Sequence, residues 1–179
     1  KPSQEGIINH YSLISKSSRL PIILYNVPSR TSSNISAHTV LHLASNFENI
    51  IGIKEASGNL DQIMQIIKEK PKDFIVISGD DSLTLPMIYL GAQGVISVIG
   101  QALPRVVSKM VKFGMSSNVS AANELHYNIY DIYGPLYEEG NPVGVKECLE
   151  ILDICQNFVR PPLIKASSSI KMNLIKLIS

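Results

Sequence analysis

Lys54 closes the apolar run Ile50, Ile51, Gly52, Ile53 in the stretch IIGIKEASG. Lysine is among the residues least often fully buried, so an amine at the end of a core-type strand calls for a chemical reason. A free lysine titrates near 10.4, which leaves about one amine in a thousand neutral at pH 7. Water-poor surroundings disfavour the ammonium form, and the neutral amine attacks a ketone or aldehyde to form a Schiff base. The iminium then draws electrons from the neighbouring carbon, which sheds a proton to an acid–base partner. A tyrosine hydroxyl can serve, and Tyr25 ends another short apolar run, LYNVPSRT. The other reading of Lys54 is a strand-end lysine whose stem lies on the apolar surface while its amine reaches solvent. The strand pattern alone leaves both open.

Other polar residues fall around these two. Arg30 follows Pro28 in the same stretch as Tyr25; its planar fork suits a carboxylate, though a loop arginine is also simply solvated. Glu55 faces away from Lys54 if the strand persists and is read as structural. Asp80 and Asp81, in SGDDS, suggest either magnesium or, with Ser82, a cap for a following helix. His38 and His42 stand four apart but lack a third metal ligand nearby, so a solvated helix face is the simpler reading. The glycines of GAQGVISVIG would fit a phosphate loop or a turn with close helix packing. Lys165, Lys171 and Lys176 read as a solvated face. Cys148 and Cys155, seven apart in a helical pattern, share a helix face but are too far apart to bridge; both are expected as buried thiols in a reducing compartment. The glycosylation triplets at Asn34 and Asn118 then carry no meaning.

The elements that must position these groups alternate. LPIILYNV (20–27), IIGIKEA (50–56), FIVISG (74–79) and GVISV (94–98) read as four short strands. Helical patterns precede and separate them: Ile7, Ile8, Tyr11 and Ile14 after a Ser3 cap; Val40, Leu41 and Ala44 after a Ser36 cap; Leu60, Ile63, Met64 and Ile67; and 83–90. PSRTSSN reads as a loop, and Pro104 opens a further helix. Three more helical patterns cover 121–138, 142–154 and 168–178, with a turn at EEGNP. Nearly continuous apolar strands alternating with amphipathic helices imply a parallel sheet. A doubly wound open sheet and a (β/α)8 barrel share this grammar. No G-x-G-x-x-G or P-loop pattern favours a nucleotide-binding sheet. The expected fold is therefore α/β: the C-terminal half of a (β/α)8 barrel over residues 1–115, then a helical region over 116–179. In such folds functional side chains gather at the carboxyl ends of the strands.

The 179 residues are 45% apolar and 17% charged with a formal net charge of +1, a globular composition without the basic excess that nucleic acid or an acidic membrane surface would require. No apolar run approaches the roughly 18 residues of a membrane span. No secretory signal is recognisable. Lys1 is not an initiator methionine, so the natural N-terminus is expected upstream.

YNVPSRT, GIKEASG, SGDDS, GAQGVISV and GNPVGVK, in this order and spacing, closely resemble the dihydrodipicolinate synthase (4-hydroxy-tetrahydrodipicolinate synthase) family. The resemblance runs over nearly the whole chain. It implies a cytoplasmic, pyruvate-dependent class I aldolase-like barrel that condenses pyruvate with L-aspartate semialdehyde on the route to diaminopimelate and lysine. It implies no metal and no cofactor beyond the lysine–pyruvate Schiff base. Lys54 matches the Schiff-base lysine, Tyr25 the proton-relaying tyrosine and Arg30 the arginine that receives the semialdehyde carboxylate. Gly79 and Ile96 match positions whose backbone lines the pocket. Related lyases for sialic acid share the lysine and tyrosine but usually lack the arginine. The resemblance further implies that the chain starts after the family's fourth strand, leaving outside it a Thr-Thr segment, a tyrosine that reaches a neighbouring subunit and a feedback-lysine site. It also implies a homo-oligomer for the full-length protein. The alternatives are a sibling pyruvate aldolase of the N-acetylneuraminate or keto-deoxy-sugar kind, and an inactive half-barrel that serves only binding or assembly.

Overall fold

A computed structural model describes residues 1–178. These divide into two compact units, residues 1–96 and residues 97 onward.

In the first unit, capping residues set where helices begin. The Ser3 hydroxyl accepts the Gly6 N–H at 3.2 Å and starts α1 (Gln4–Ser17). Strand β1 (Ile22–Asn26) runs into a single helical turn, α2 (Pro28–Thr31), where a plain loop was expected. Pro28 supplies a pre-set φ at the first helical position. The Val27 carbonyl accepts the Arg30 and Thr31 N–H groups, and Ser32 closes the turn at φ 53°. The Ser36 hydroxyl then accepts from Thr39 and starts α3 (Ala37–Asn46). Strand β2 (Ile50–Glu55) follows. Helix α4 (Leu60–Glu69), capped by Asn59, strand β3 (Ile75–Ser78) and α5 (Thr84–Tyr89) come next.

The strands are parallel in the order β1-β2-β3, with Tyr25 beside Lys54 and Lys54 beside Ile77. Side chains alternate between the two faces. One face carries Leu24, Ile53 and Val76, all fully buried, in one core with Ile7, Val40, Leu43, Ile63 and Ile66 from the helices. The other face carries Ile23 and Tyr25, which are 40% and 43% exposed.

A fourth strand at 94–98 is not formed. Val95 makes an isolated parallel bridge with Ser78. Gly94 O accepts from Ser78 N and Ile96 N donates to Ser78 O, at 2.9 and 3.0 Å. The pairing stops there because Val98 already has helical dihedrals and leads into a 3-10 turn at Ile99–Gln101. The structure therefore shows an α/β chain with three paired strands among its described residues.

The second unit is helical: α6 (Pro104–Met115), α7 (Val119–Tyr130), α8 (Tyr133–Glu138), α9 (Val143–Ile151) and α10 (Ser168–Ile178). The pattern read as one helix over 121–138 is two. Pro135 has no N–H to give the Asp131 carbonyl, which breaks the ladder between α7 and α8. Gly144 permits the close approach of α9 to α8, since a Cβ there would run into the backbone of Leu136. Helix α9 ends three residues earlier than expected, and Asp153 takes φ 55°. Cys155 consequently lies beyond the helix and is exposed, against the expectation of two buried thiols. Cys148 is buried, and burial pushes its thiol up to about 11. Lys171 does not belong to a solvated lysine face either. Its Nζ lies 2.9 Å from the buried Glu147 carboxylate and 3.0 Å from Glu150, tying α10 to α9. These carboxylates raise the Lys171 amine above its ordinary value.

His126, buried on α7, packs edge-on against Tyr127 and Tyr130 at 5.2 and 5.7 Å. Its Nδ1 has no hydrogen-bond partner among the described residues. Burial holds the imidazole below its ordinary value of 6.5. As pH falls, the unfolded chain therefore takes up this proton before the folded one, and stability is lost from about pH 6.5 downward. The melting temperature is expected to drop over that interval, and His126→Phe, which cannot titrate, to flatten the drop. Thermal melts between about pH 5 and pH 8 measure both.

Candidate active site

The carboxyl ends of β1, β2 and β3 share one edge of the sheet, because parallel pairing in register stacks like ends together. Tyr25 and Lys54 are register partners and point to the face away from the helical core. The Lys54 amine lies over the Tyr25 ring, 4.1 Å from its centroid. The ring's negative face attracts a cation, which fixes the direction of an otherwise flexible stem. Lys54 is half-buried.

Gly79, the residue after β3, gives this stem its room. A Cβ at that position would fall 2.9 Å from Lys54 Cε, 3.1 Å from Lys54 Cγ and 2.9 Å from Ala56 Cβ. The Gly79 N–H donates to the Glu55 carbonyl at 2.8 Å, holding the end of β3 against the end of β2. Ile96 is 49% exposed, and its N–H is engaged by Ser78. Arg30 stands on the exposed turn α2, just past the carboxyl end of β1. Its guanidinium makes no hydrogen bond or ion pair among the described residues. The structure thus seats the Lys54 amine over Tyr25 with Gly79 against the lysine stem, and places Arg30 just past the end of β1 and Ile96 beside the end of β3.

Asp80 Oδ1 accepts the N–H and hydroxyl of Ser82 at 3.1 and 2.8 Å, closing a turn. It does not cap α5, whose N-cap is Leu83 without a side-chain bond. Among the described residues no group of three His, Cys, Asp or Glu could hold a metal ion. His38 and His42 are both exposed. The Thr84 hydroxyl donates to the Asp80 carbonyl at 2.8 Å and lies within hydrogen-bond distance of the Ser78 hydroxyl at 3.1 Å, bracing the end of β3.

Sequence reasoning turned Glu55 away from Lys54 and read it as structural, which its burial bears out, but missed Asn26 as its partner directly behind the site. Asn26 and Glu55, each the neighbour of a candidate residue, are 1% and 0% exposed and bonded to each other. The alternation that turns Tyr25 and Lys54 to one face turns these two to the other. Asn in an apolar strand end was the available signal.

A family model described as the dihydrodipicolinate synthetase family matches residues 1–179. The chain belongs to that family. It is 49% identical over 174 residues to the 4-hydroxy-tetrahydrodipicolinate synthase of Flavobacterium psychrophilum, covering 97% of this chain and 59% of that relative. The crystal structure of dihydrodipicolinate synthase from Aquifex aeolicus superposes with a TM-score of 0.96 at 40% identity, over 99% of this chain and 61% of that one. A crystal structure of the chloride-inhibited dihydrodipicolinate synthase from Acinetobacter baumannii, complexed with pyruvate, gives 0.95 at 32% identity, over 99% and 61%. The chain therefore spans about three-fifths of the length of these members of the dihydrodipicolinate synthetase family. No helix among the described residues is long and apolar enough to cross a membrane.

Proposed function

We propose that the complete protein carrying this chain is a 4-hydroxy-tetrahydrodipicolinate synthase, a lyase-class enzyme that condenses pyruvate with L-aspartate semialdehyde in lysine and diaminopimelate biosynthesis. The observation that carries the reading is the Lys54 amine seated over Tyr25 at 4.1 Å, in a chain of this family. The pyruvate complex of the A. baumannii relative supports the choice of keto acid.

In this reading the neutral Lys54 amine adds to the pyruvate keto carbon, and water leaves as the imine forms. The protonated imine draws electrons from the adjacent methyl carbon, which loses a proton through the Tyr25 hydroxyl. The resulting enamine attacks the aldehyde carbon of the semialdehyde, forming the carbon–carbon bond. The semialdehyde's amino group then displaces the lysine nitrogen, closing the ring and freeing Lys54. Arg30 receives the semialdehyde carboxylate by a two-pronged charge-assisted contact. The backbone at Gly79 and Ile96 lines the pocket. The reaction uses no metal and no cofactor, since Lys54 supplies the electron sink covalently.

The architecture proposed for this activity is half of a (β/α)8 barrel, residues 1–115, with residues 116–179 as a helical region. The exposed face around Ile23 and Tyr25 is then barrel interior, covered by the strands of the remaining two-fifths. The complete enzyme is placed in the cytoplasm as a homo-oligomer.

Arg30 tests the substrate assignment. In the complete protein, Arg30→Ala is expected to raise the KM for aspartate semialdehyde by about 10- to 100-fold, the scale of losing a charged pairing that leaves the substrate carboxylate without its partner. The KM for pyruvate is expected to change little. Steady-state kinetics with each substrate varied checks this. An unchanged semialdehyde KM would assign the site to a different aldehyde.

A further inference from the structure

Asn26 makes more bonds than a filler of the core requires. Its side-chain N–H2 donates to both oxygens of Glu55 at 3.0 and 3.1 Å and to Asn34 Oδ1 at 2.9 Å. Its side-chain oxygen accepts the Ile35 N–H at 3.0 Å. Glu55 also accepts the Ser57 N–H at 2.8 Å and the Gln62 amide at 3.2 Å. Asn34 in turn donates to Gln62 Oε1 at 2.8 Å. A buried carboxylate requires such partners, but an apolar pair would fill the same volume without them. What the amide adds is direction: it donates one way and accepts the other, so it fixes how the segments around it are turned.

Those segments are the ones that carry the site. Asn26 follows Tyr25, and Glu55 follows Lys54. Ile35 and Asn34 end the stretch that begins at Val27 and bears Arg30. The bond from Ile35 to Asn26 closes this stretch on itself at its base. Its far end is held a second time by α1: Gln4 donates to the Asn34 carbonyl at 2.8 Å and accepts from Ser36 N at 3.0 Å and from Thr39 Oγ1 at 2.7 Å. The Arg30 backbone is held within the turn α2 by the Val27 carbonyl, but its side chain has no tether among the described residues, so its placement follows that of the turn, which is set by the two ends of the loop.

We infer that Asn26, held by Glu55, is a positioning residue that sets the Arg30 loop relative to the Lys54–Tyr25 pair, and thereby the fit of the acceptor aldehyde's carboxylate. The inference rests on the reading of Lys54 as the imine-forming lysine and Arg30 as the carboxylate receiver. Two properties follow. Capture of the keto acid depends on β1 and β2, whose ladder survives loss of one side chain. Capture of the acceptor depends on the loop, which does not keep its angle once the base is open.

The test uses the complete protein and two variants. Asn26→Leu removes the hub. Asn34→Ala removes one arm at an exposed position and leaves no buried charge behind, so it retains the fold even where Asn26→Leu does not. Asn26→Leu is expected to raise the KM for aspartate semialdehyde by about tenfold or more, since sub-ångström misplacement of a binding group acts on this scale. Asn34→Ala is expected to raise it less, in the same direction. Borohydride trapping of the pyruvate imine is expected to proceed in both at nearly the unmodified rate. A semialdehyde KM unmoved in Asn34→Ala, and in Asn26→Leu if it folds, overturns the inference. So does an equal loss of trapping and of acceptor affinity, which marks a merely structural role. If the unmodified protein itself traps no pyruvate, the Schiff-base reading fails and the inference with it, and the two failures are told apart by that control.

Discussion

Replacing Lys54 with arginine is expected to abolish turnover as completely as replacing it with alanine. The two variants separate two roles for a cation over an aromatic ring. Arginine keeps a positive charge and stacks at least as well on the Tyr25 face. A guanidinium does not deprotonate at working pH and forms no imine. If the amine acted only by its charge, Lys54→Arg would keep most of the activity. If it is the nucleophile, both variants lose on the order of 10⁴-fold or more in kcat, the scale on which removal of a covalent nucleophile acts. The side chain is half-buried on a face that packs against none of the helical core, so neither change disturbs Leu24, Ile53 or Val76 beneath it. Circular dichroism should register folded protein in both, which leaves the kinetic loss to chemistry alone. An arginine variant with substantial turnover would show that no covalent bond to this residue is needed.

Gly79→Ala is the second large effect, from a single methyl group. The added carbon would sit 2.9 Å from Lys54 Cε, 3.1 Å from Lys54 Cγ and 2.9 Å from Ala56 Cβ. The Cε can swing aside, being far along a flexible chain. The Ala56 Cβ is fixed to the backbone, and Lys54 Cγ moves only if χ1 changes. The lysine stem must therefore leave its present path, and the amine its seat over Tyr25. Misplacement of a reacting atom by about 1 Å costs on the order of 100-fold, and a loss of that size in kcat is expected. The rate of borohydride trapping with pyruvate should fall in parallel. The KM for aspartate semialdehyde should change less, since Arg30 is on a different loop. Near-normal trapping in Gly79→Ala would mean the stem has another route to the same point.

How far these residues could be read in advance depended on what kind of signal each gave. Tyr25 and Lys54 end apolar runs, and parallel register places run-ends side by side, so their juxtaposition followed from strand pattern alone. The caps at Ser3 and Ser36 were equally legible, because a hydroxyl before an amphipathic stretch has one local job. The fourth strand was not: GVISV has the right residues, but the chain turns helical at Val98 and only Val95 pairs. Helix length failed twice for local reasons, once at Pro135, whose missing N–H splits a continuous apolar pattern, and once at Asp153, whose positive φ ends α9 and exposes Cys155. Lys171 looked solvated because its partners, Glu147 and Glu150, stand more than twenty residues back in sequence. The role of Gly79 was invisible because it is an absence of volume, defined by a side chain from another strand. Alternation, which turns one of each adjacent pair outward and the other into the core, placed Glu55 away from Lys54 in advance; its bond to Asn26 was not legible, because the two stand 29 residues apart in sequence.

The most direct measurement is the site of covalent capture. The complete protein is incubated with pyruvate, reduced with borohydride, digested, and the modified peptide sequenced by mass spectrometry. The account predicts one pyruvate-derived adduct, on Lys54. A folded, active enzyme that carries the adduct on another lysine, or turns over its substrates with no adduct at all, contradicts it.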